Sequence, residues 1–480
     1  MKAYPDLNLL IDGVWRKSST GESLPVVNPA TEETLADLPS ASETDLDEAL
    51  ASSAKGFKVW RAMSSYERGR ILIKGADLVR DRTEEIAVAI TLENGKPLAE
   101  ARAEIGTVSD IIEYSAEQGK RMQGRIVEGR VSGTTHYVTH DPVGPCLAVT
   151  PWNFPINTVS KKVGPALAAG CSVIVKASNE TPASAILLAQ ALMDAGLPPG
   201  VVNVVFGPSA KLTQHLINSE VIKKISLTGS VPVGKQLAKL AAERMQRVTM
   251  ELGGHAPVVV WDDVDIGKAA DLMVMGAFRN AGQICISPTR FYVQDAIYSD
   301  FVDAVTERAS KLVVGDGMDP TSQMGPLANA RRLAAMVEFV EDARTRGAEV
   351  TTGGRRVENR GYFFAPTVVK DAPDDCMLMT EEPFGPVAPM TRFSNLEDVA
   401  ARANSLELGL ASYAITNSLE RASATAEALE AGMVGINTVG IAIPETPFGG
   451  VKESGYGVEG GPESLDHYVV PKSIAQKTFL

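Results

Sequence analysis

The feature that most constrains this fold is a regular alternation of short apolar segments with helical stretches between residues 146 and 254. The apolar segments are CLAVT, CSVIVKAS, VVNVVFG, KKISLTGS and VTMELGG, and stretches such as TPASAILLAQALMDAG separate them. Strands that alternate with helices predict a parallel sheet. A second series of the same kind runs from residue 255 to 438. We therefore expect an α/β protein with two Rossmann-like open parallel-sheet domains.

The limits of these series suggest the domain organisation. A single core stops growing at roughly 250 to 300 residues, so a chain of 480 residues predicts two domains. We assign 1–122 and 146–252 to the first domain and 253–445 to the second. The segments 123–145 and 467–480 contain strand-like runs, SGTTHYVTHDP and KSIAQKTFL, that need another surface to cover them. We expect a small β oligomerisation arm there and a homodimer or homotetramer.

The stretch from residue 42 to 122 carries apolar residues at helical spacing, with charged residues on the other faces. Ser42 and Asp45 have the spacing of a capping box at the start of this stretch. Breaks near Ser64 and at Gly95-Lys96-Pro97 divide it into three predicted helices. These helices are interpreted as structural.

Composition excludes several classes of partner. The net charge of −13 disfavours nucleic acid and anionic membranes, both of which select for excess Lys and Arg. No apolar run approaches the roughly 18 residues of a membrane span and no signal peptide is evident, so we expect a cytoplasmic protein. The four cysteines form no CxxC pair and the five histidines show no HExxH spacing, so we predict neither a disulfide framework nor a metal site.

Two glycine-containing loops resemble phosphate-binding motifs. The segment GSVPVGKQ, at 229–236, misses the GxxxxGK[ST] pattern because Gln236 stands where a magnesium-binding hydroxyl is needed. Its strand, turn and helix still offer free N–H groups to a pyrophosphate, although an ordinary strand-to-helix connection fits equally well. The GxGxxG formed by Gly455, Gly457 and Gly460 follows no predicted strand. We interpret it as a flexible loop and not as a dinucleotide fingerprint.

The segment FRNAGQICISPTR, from Phe278 to Arg290, contains the best candidate nucleophile. Gly282 permits unusual backbone angles and Ser287-Pro288 disfavours a helix, so Cys285 is expected at a break between a helix and a loop. Reactive side chains are often found at such breaks. The alternative for an isolated cysteine is a small buried apolar residue.

Four ordered motifs then place the chain beside a known family. They are PWNFP at 151–155, MELGG at 250–254, GQIC at 282–285 and EEPFGP at 381–386. Together they resemble the aldehyde dehydrogenase superfamily. VKASNETP, LTGSVPVG and PFGGVKESG match as well, so the resemblance extends over nearly the whole chain.

The resemblance implies a mechanism in which a thiol adds to the aldehyde before hydride leaves. Cys285 is then the nucleophile, the Asn153 amide receives the alkoxide, and Glu251 is the general base. Two other functional hypotheses are a cysteine acyltransferase or hydrolase that uses no coenzyme, and a non-catalytic structural or binding protein. The first leaves the strand and helix series unexplained, and the second leaves Cys285 and Glu251 without a purpose.

The same resemblance implies NAD or NADP as cofactor, bound by the first domain, with the nucleophile in the second. The residues predicted to bind it are Thr150, Trp152, Lys176, Asn179, Gly207, Gly229, Ser230, Glu382 and Phe384. Members that prefer NAD usually carry Glu three residues after the Lys; here that residue is Asn179, followed by Glu180. Asn does not repel a 2′-phosphate, so both coenzymes stay open.

The substrate prediction is an aldehyde with a distal carboxylate. Arg279 resembles an arginine of succinate-semialdehyde dehydrogenases, and its guanidinium suits a carboxylate. A second family arginine is Lys161 here, and a family serine is Ile443. Ser287, with Pro288 and Thr289, is similar to members acting on 2-oxoglutarate semialdehyde. The leading function is oxidation of succinate semialdehyde to succinate; the alternatives are 2-oxoglutarate semialdehyde or a broader range of aliphatic aldehydes.

Overall fold

The computed structural model describes residues 4–478, so the first three residues of the predicted first domain and the last two of the predicted tail strand lie outside it. Helices and strands alternate along most of the chain. The helices are α1 (Glu43–Ala62), α2 (Ser65–Asp81), α3 (Thr83–Asn94), α4 (Leu98–Arg121), α5 (Asn157–Ala169), α6 (Pro182–Asp194), α7 (Ser209–Ile217), α8 (Val231–Ala242), α9 (Ile266–Phe278), α10 (Tyr298–Ser310), α11 (Ala330–Thr345), α12 (Met377–Thr380), α13 (Leu396–Ala403), α14 (Leu419–Ala428) and α15 (Glu463–Asp466). The strands are β1 (Leu9–Ile11), β2 (Val14–Arg16), β3 (Ser23–Val27), β4 (Thr34–Pro39), β5 (Arg125–Glu128), β6 (Thr134–Pro142), β7 (Cys146–Val149), β8 (Val173–Lys176), β9 (Val202–Val205), β10 (Lys224–Thr228), β11 (Arg247–Glu251), β12 (Ala256–Val260), β13 (Pro288–Gln294), β14 (Glu349–Thr352), β15 (Thr367–Lys370), β16 (Val387–Phe393), β17 (Leu408–Gly409), β18 (Ala411–Ile415), β19 (Met433–Ile436), β20 (Val451–Lys452), β21 (Gly455–Tyr456) and β22 (Val469–Lys477).

The first large sheet has eight strands in the order β2-β1-β9-β8-β7-β10-β11-β21. The five central strands, β9 to β11 in this order, are mutually parallel, and antiparallel strands close both edges. β7, β8, β9 and β10 are almost entirely buried, because helices pack on the sheet and an apolar core surrounds it. Because the five central strands are parallel, their carboxyl ends share one edge of the sheet. Ligands bind at this edge in folds of this type.

The second large sheet has seven strands in the order β14-β15-β16-β13-β12-β18-β19. Its strands are parallel except for β14, which pairs antiparallel with β15. A separate apolar core lies around this sheet. The predicted fold class, with two Rossmann-like open parallel sheets, is confirmed, while the exact domain boundaries stay predictions.

The two strand-like runs assigned to the arm lie side by side. β22 pairs antiparallel with β6 over nine residues, from Val469 opposite Pro142 to Lys477 opposite Thr134, and β5 pairs with the other edge of β6. Every residue of β5 is exposed, and Ile126 and Ile474 leave apolar side chains in solvent. This three-stranded sheet carries the predicted oligomerisation surface, whose role stays a prediction.

Several local predictions can be compared directly with the structure. The Ser42–Asp45 capping box is confirmed. The stretch after it contains four helices and not three, because Arg82 separates α2 from α3, a break that no Pro or Gly announces. The loop that contains Gly455, Gly457 and Gly460 was predicted to be flexible. It includes β20 and β21, and β21 extends the first sheet beside β11. Among residues 4–478, no helix combines the length and the apolar character needed to cross a bilayer.

We predict that Ile126→Lys lowers the oligomeric state without unfolding the chain. Ile126 is 72% exposed, so a charge there costs the isolated fold little, whereas a charge buried between subunits is costly. Light scattering coupled to size exclusion measures the mass. Val59→Lys on α1, where Val59 is 52% exposed, is the matched control and should leave the mass unchanged. Equal masses for both variants and the parent would place the subunit contact elsewhere.

Candidate active site

The segment that bears Cys285 departs sharply from helical geometry. α9 ends at Phe278 and a short 3-10 turn follows, in which Asn280 (φ 49°) and Ala281 (φ 52°) are left-handed. At Gly282 (φ 70°), a Cβ would lie 2.1 Å from the carbonyl oxygen of Gly385, so a larger residue would collide with backbone. Cys285 follows in the loop before β13, half-buried, and the predicted break between helix and loop is confirmed.

The Asn153 amide lies next to this loop. Asn153 is buried just beyond the end of β7, and its Nδ2 donates a hydrogen bond of 3.0 Å to the carbonyl oxygen of Gln283. The backbone carbonyl of Asn153 accepts hydrogen bonds from Lys96 Nζ (2.8 Å) and Asn280 Nδ2 (3.0 Å). An amide nitrogen carries two hydrogens, so one remains for a ligand beside Cys285.

A buried ion pair supports the Asn153 loop. Lys96 Nζ lies 2.6 Å from Glu104 Oε2, with both side chains fully buried, and 4.1 Å from the centroid of the Phe154 ring. Glu104 Oε1 accepts hydrogen bonds from the backbone N–H groups of Ile156 and Asn157. The sequence predicts only a helix break at Lys96, and no local pattern pairs this residue with Glu104.

Glu251 is the last residue of β11 and is 2% exposed. Burial and then the charge of Glu459 raise its pKa to about 7, while Lys162, Lys161 and the Cys285 thiol counteract that shift. The structure thus places Glu251 at the buried end of a strand. A carboxyl group that titrates near neutral pH suits a general base.

Glu459 and Lys162 form a second buried ion pair behind Glu251. Lys162 Nζ contacts Glu459 Oε1 and donates a hydrogen bond of 2.7 Å to Thr228 Oγ1. Glu459 belongs to the glycine loop that the sequence analysis set aside. That loop lacks a coenzyme fingerprint, but it brings a carboxylate to the wall of the cavity described below.

The surroundings of Cys285 disfavour its thiolate. Burial raises the pKa of the Cys285 thiol well above its usual value, and the carboxylates of Glu251 and Glu382 raise it further. Lys161 acts in the opposite direction. A reaction at this thiol would therefore require removal of its proton, and the Glu251 carboxyl group lies within hydrogen-bond reach of it.

These groups line one cavity of about 590 Å³. Its wall includes Asn153, Glu251 and Cys285. The other predicted residues that line it are Trp152, Glu382, Phe384, Arg279 and Lys161. Phe384 is left-handed (φ 46°), and its ring meets that of Trp152 edge to face, with centroids 5.5 Å apart. The motifs PWNFP, MELGG, GQIC and EEPFGP are thus brought together from four distant segments.

The residues predicted to bind a dinucleotide lie along the carboxyl edge of the first sheet. Thr150, Lys176 and Gly207 are at or just beyond the ends of β7, β8 and β9, and Gly229 and Ser230 join β10 to α8. Ser230 is the N-cap of α8, and its side chain forms no capping bond, which leaves the amides of that helix end for a ligand.

Buried polar groups at this edge fit a dinucleotide. Thr150 Oγ1 is buried, and no partner within residues 4–478 reaches it. Lys176 Nζ is buried and donates to Ser209 Oγ at 2.7 Å, and burial lowers its pKa to about 8. Ribose hydroxyls or a phosphate can supply the missing acceptors.

Asn179 is tied to the backbone. Its Nδ2 donates to the Gly207 carbonyl (2.9 Å) and its Oδ1 accepts from the Gly207 N–H (3.2 Å). Glu180 is turned aside, because its carboxylate accepts a hydrogen bond from Ser178 and lies 3.5 Å from Arg331. Asn179 itself carries no carboxylate that could repel a 2′-phosphate.

The predicted substrate residues divide into two groups. Arg279 is exposed to the cavity, 5.8 Å from the Phe154 ring centroid, and Lys161 Nζ lies 3.5 Å from the Phe448 ring centroid. Ser287 is 3% exposed, its hydroxyl faces the Gly276 carbonyl of α9 at 3.5 Å, and it is not part of the described cavity wall. Its role in substrate binding stays a prediction.

Comparison with known proteins agrees with this geometry. Residues 15–474 match the model of the aldehyde dehydrogenase family. A 4-(hydroxymethyl)benzenesulfonate dehydrogenase of Comamonas testosteroni is 45% identical, with 97% of each chain covered. The succinate-semialdehyde dehydrogenase [NADP(+)] of Escherichia coli is 40% identical over 96% of this chain and 95% of that one.

A solved structure shows the same fold over the whole chain. The crystal structure of succinate-semialdehyde dehydrogenase from Burkholderia pseudomallei superposes with a TM-score of 0.97 and is 38% identical, covering 99% of this chain and 98% of that one. Fold, cavity and sequence similarity agree. The chain therefore belongs to the aldehyde dehydrogenase family and is an NAD- or NADP-dependent oxidoreductase that acts on aldehydes.

Proposed function

We propose that the protein oxidises an aldehyde bearing a distal acid group, with conversion of succinate semialdehyde to succinate as the leading reaction. One observation carries this proposal. The candidate nucleophile Cys285, the Asn153 amide and the Glu251 carboxyl share a cavity with the cations of Arg279 and Lys161. Such a cavity can hold the aldehyde at the sulfur and an anionic group at the cations.

The reaction begins with proton transfer from the Cys285 thiol to Glu251. The sulfur then attacks the carbonyl carbon, a C–S bond forms, and the carbonyl oxygen becomes an alkoxide. The free hydrogen of Asn153 Nδ2 and the backbone N–H of Cys285 bind this oxygen; one such donor contributes on the order of 3 kcal/mol.

Bound along the carboxyl edge of the first sheet, NAD or NADP would supply the acceptor for the hydride of the former aldehyde carbon. A thioester on Cys285 remains. Glu251 first releases the thiol proton to solvent and then removes a proton from water. The water oxygen attacks the thioester carbon, the C–S bond breaks, the acid leaves, and the Cys285 thiolate takes a proton back from Glu251. Burial raises the pKa of Glu251, Glu459 raises it further, and Lys162 lowers it.

We predict that Cys285→Ala abolishes aldehyde oxidation, with kcat lowered by at least about 10³-fold. Formation of NADH or NADPH, followed by absorbance, measures the rate. Cys376→Ala, which removes another buried cysteine of the second sheet's core, is the control and should retain turnover. Oxidation at the parent rate by Cys285→Ala would refute the thiol mechanism.

We predict that kcat rises with pH through about 7 and then levels, because Glu251 is a base only above its pKa of about 7. Glu251→Gln should remove this limb and lower kcat by about 10²-fold to 10⁴-fold. Rates between pH 5.5 and 9 in constant ionic strength provide the measurement. If the limb persists unchanged in Glu251→Gln, another group titrates.

The nature of the acid group is the finer question. Arg279 offers two parallel donors to a planar carboxylate, whereas Lys161 is a point charge and Ile443 offers no donor. A sulfonate is therefore a second candidate, because its three oxygens need no matched fork and because the Comamonas relative is named for a benzenesulfonate. The similarity to enzymes that act on 2-oxoglutarate semialdehyde lies in Ser287, Pro288 and Thr289. Ser287 and Thr289 are both buried, and the Thr289 hydroxyl faces His255.

We predict that Arg279→Met lowers kcat/KM for succinate semialdehyde by about 10²-fold, since a hydrogen bond to a charged group contributes about 1.5 to 3 kcal/mol. Butanal, which has no acid, should change by less than about threefold and serves as the internal control. The panel also includes 2-oxoglutarate semialdehyde and 4-formylbenzenesulfonate, with each coenzyme. If the parent enzyme does not prefer the acidic aldehydes over butanal, the proposed substrate class is wrong.

A further inference from the structure

The first turn of α11 lies across the coenzyme cleft from the first sheet. Asn329 caps this helix by accepting a hydrogen bond from the Arg332 N–H at 3.1 Å. Two arginines follow the cap. Arg331 is 85% exposed and lies 3.5 Å from Glu180, whereas Arg332 turns inward and lines the cavity. Adjacent residues with the same charge thus have different surroundings.

Arg332 contacts the segment that carries Glu382 and Phe384. Its Nη2 donates to the carbonyl oxygen of Pro383 and lies 3.4 Å from that of Phe384. The guanidinium carbon lies 6.0 Å from the centroid of the Phe384 ring. Arg332 Nε is buried, and within the described chain no acceptor reaches it. The guanidinium therefore fixes two backbone carbonyls and retains a free donor.

The segment needs such support. Phe384 is left-handed, which is unfavourable for a residue with a Cβ. The Glu382 carboxylate accepts a hydrogen bond from the Gly254 N–H at 3.3 Å, and a Cβ on Gly253 would lie 2.5 Å from Glu382 Oε2. Backbone carbonyls turned inward by this conformation require donors, and Arg332 supplies them.

We infer that Arg332 is a positioning residue for the coenzyme: it holds the Glu382–Phe384 segment in the conformation that binds the nicotinamide ribose and provides the counter-charge of the Glu382 carboxylate. This inference rests on the coenzyme contacts proposed for Glu382 and Phe384. Arg331, one residue earlier, has no part in it.

Electrostatics give the inference a distinctive pH signature. Burial raises the pKa of Glu382 to about 8, and Glu251 raises it, while the Gly254 N–H and Arg332 lower it. The Cys285 thiol also faces Glu382. An ionised carboxylate accepts hydrogen bonds from ribose hydroxyls more strongly than its neutral form. Loss of the Arg332 charge should raise the pKa of Glu382. Coenzyme binding should therefore weaken most at the pH values at which Glu382 is ionised in the parent and protonated in the variant.

The test compares Arg332→Met with Arg331→Met in coenzyme binding without aldehyde. Quenching of tryptophan fluorescence by NAD and by NADP gives Kd from pH 6.5 to 10. We expect Arg332→Met to raise Kd at least about tenfold at pH 8 for the better coenzyme, and the pH midpoint of binding to move upward. Arg331→Met loses the same charge and should stay within about twofold of the parent with NAD, the coenzyme that has no 2′-phosphate near Glu180.

Further variants separate positioning from general destabilisation. Arg332→Lys keeps the charge, so it should keep the parent midpoint even if Kd rises, and it covers the case in which Arg332→Met does not fold. In a Glu382→Gln background, Arg332→Met should no longer move the midpoint. Parent-like Kd in Arg332→Met, or an equal loss in Arg331→Met, would overturn the inference. Absence of binding by the parent would instead contradict the proposed coenzyme contacts themselves.

Discussion

The geometry of the site depends on the buried ion pair between Lys96 and Glu104. Lys96 binds the backbone carbonyl of Asn153, and Glu104 binds the amides that begin α5. The Asn153 side chain in turn reaches the carbonyl of Gln283 in the nucleophile loop. A buried pair of this kind adds little net stability, because desolvation offsets attraction, but leaving one partner unpaired is costly. It therefore fixes one arrangement of the loop between the two sheets.

The cavity also carries a balance of charge that sets its chemistry. Glu251 and Glu382 are buried with little compensation, and burial raises the pKa of both. Burial, and then the carboxylates of Glu251 and Glu382, raise the pKa of the Cys285 thiol and favour its protonated form. In the proposed mechanism this thiol becomes nucleophilic when Glu251 takes its proton. The Glu251 carboxylate, which disfavours the resting thiolate, would thus also activate the thiol.

Much of the fold and of the candidate site could be predicted from the sequence, because these features depend on residues that are neighbours along the chain. Strands that alternate with helices specify a parallel sheet, and the carboxyl ends of those strands bring Lys176 and Gly229 to one edge. The break between helix and loop at Cys285 could be predicted, because the neighbouring residues Gly282, Ser287 and Pro288 disfavour a helix. Lys96, Glu459 and Arg332 were not found, because each acts on a residue that is distant in sequence. Ser287 is buried outside the described cavity wall, which its closeness to Cys285 in sequence does not predict.

Glycines explain why the two halves of the site stay in register. A Cβ on Gly282 would meet the carbonyl of Gly385, and a Cβ on Gly253 would meet the Glu382 carboxylate. The loops that carry the candidate nucleophile, the candidate base and the predicted ribose acid therefore approach one another at glycines that leave no room for a side chain. Because Gly282 lies against the backbone of Gly385, displacement of one loop must move the other. The nucleophile loop and the coenzyme-side segment consequently form a single mechanical unit, into which Arg332 enters from α11.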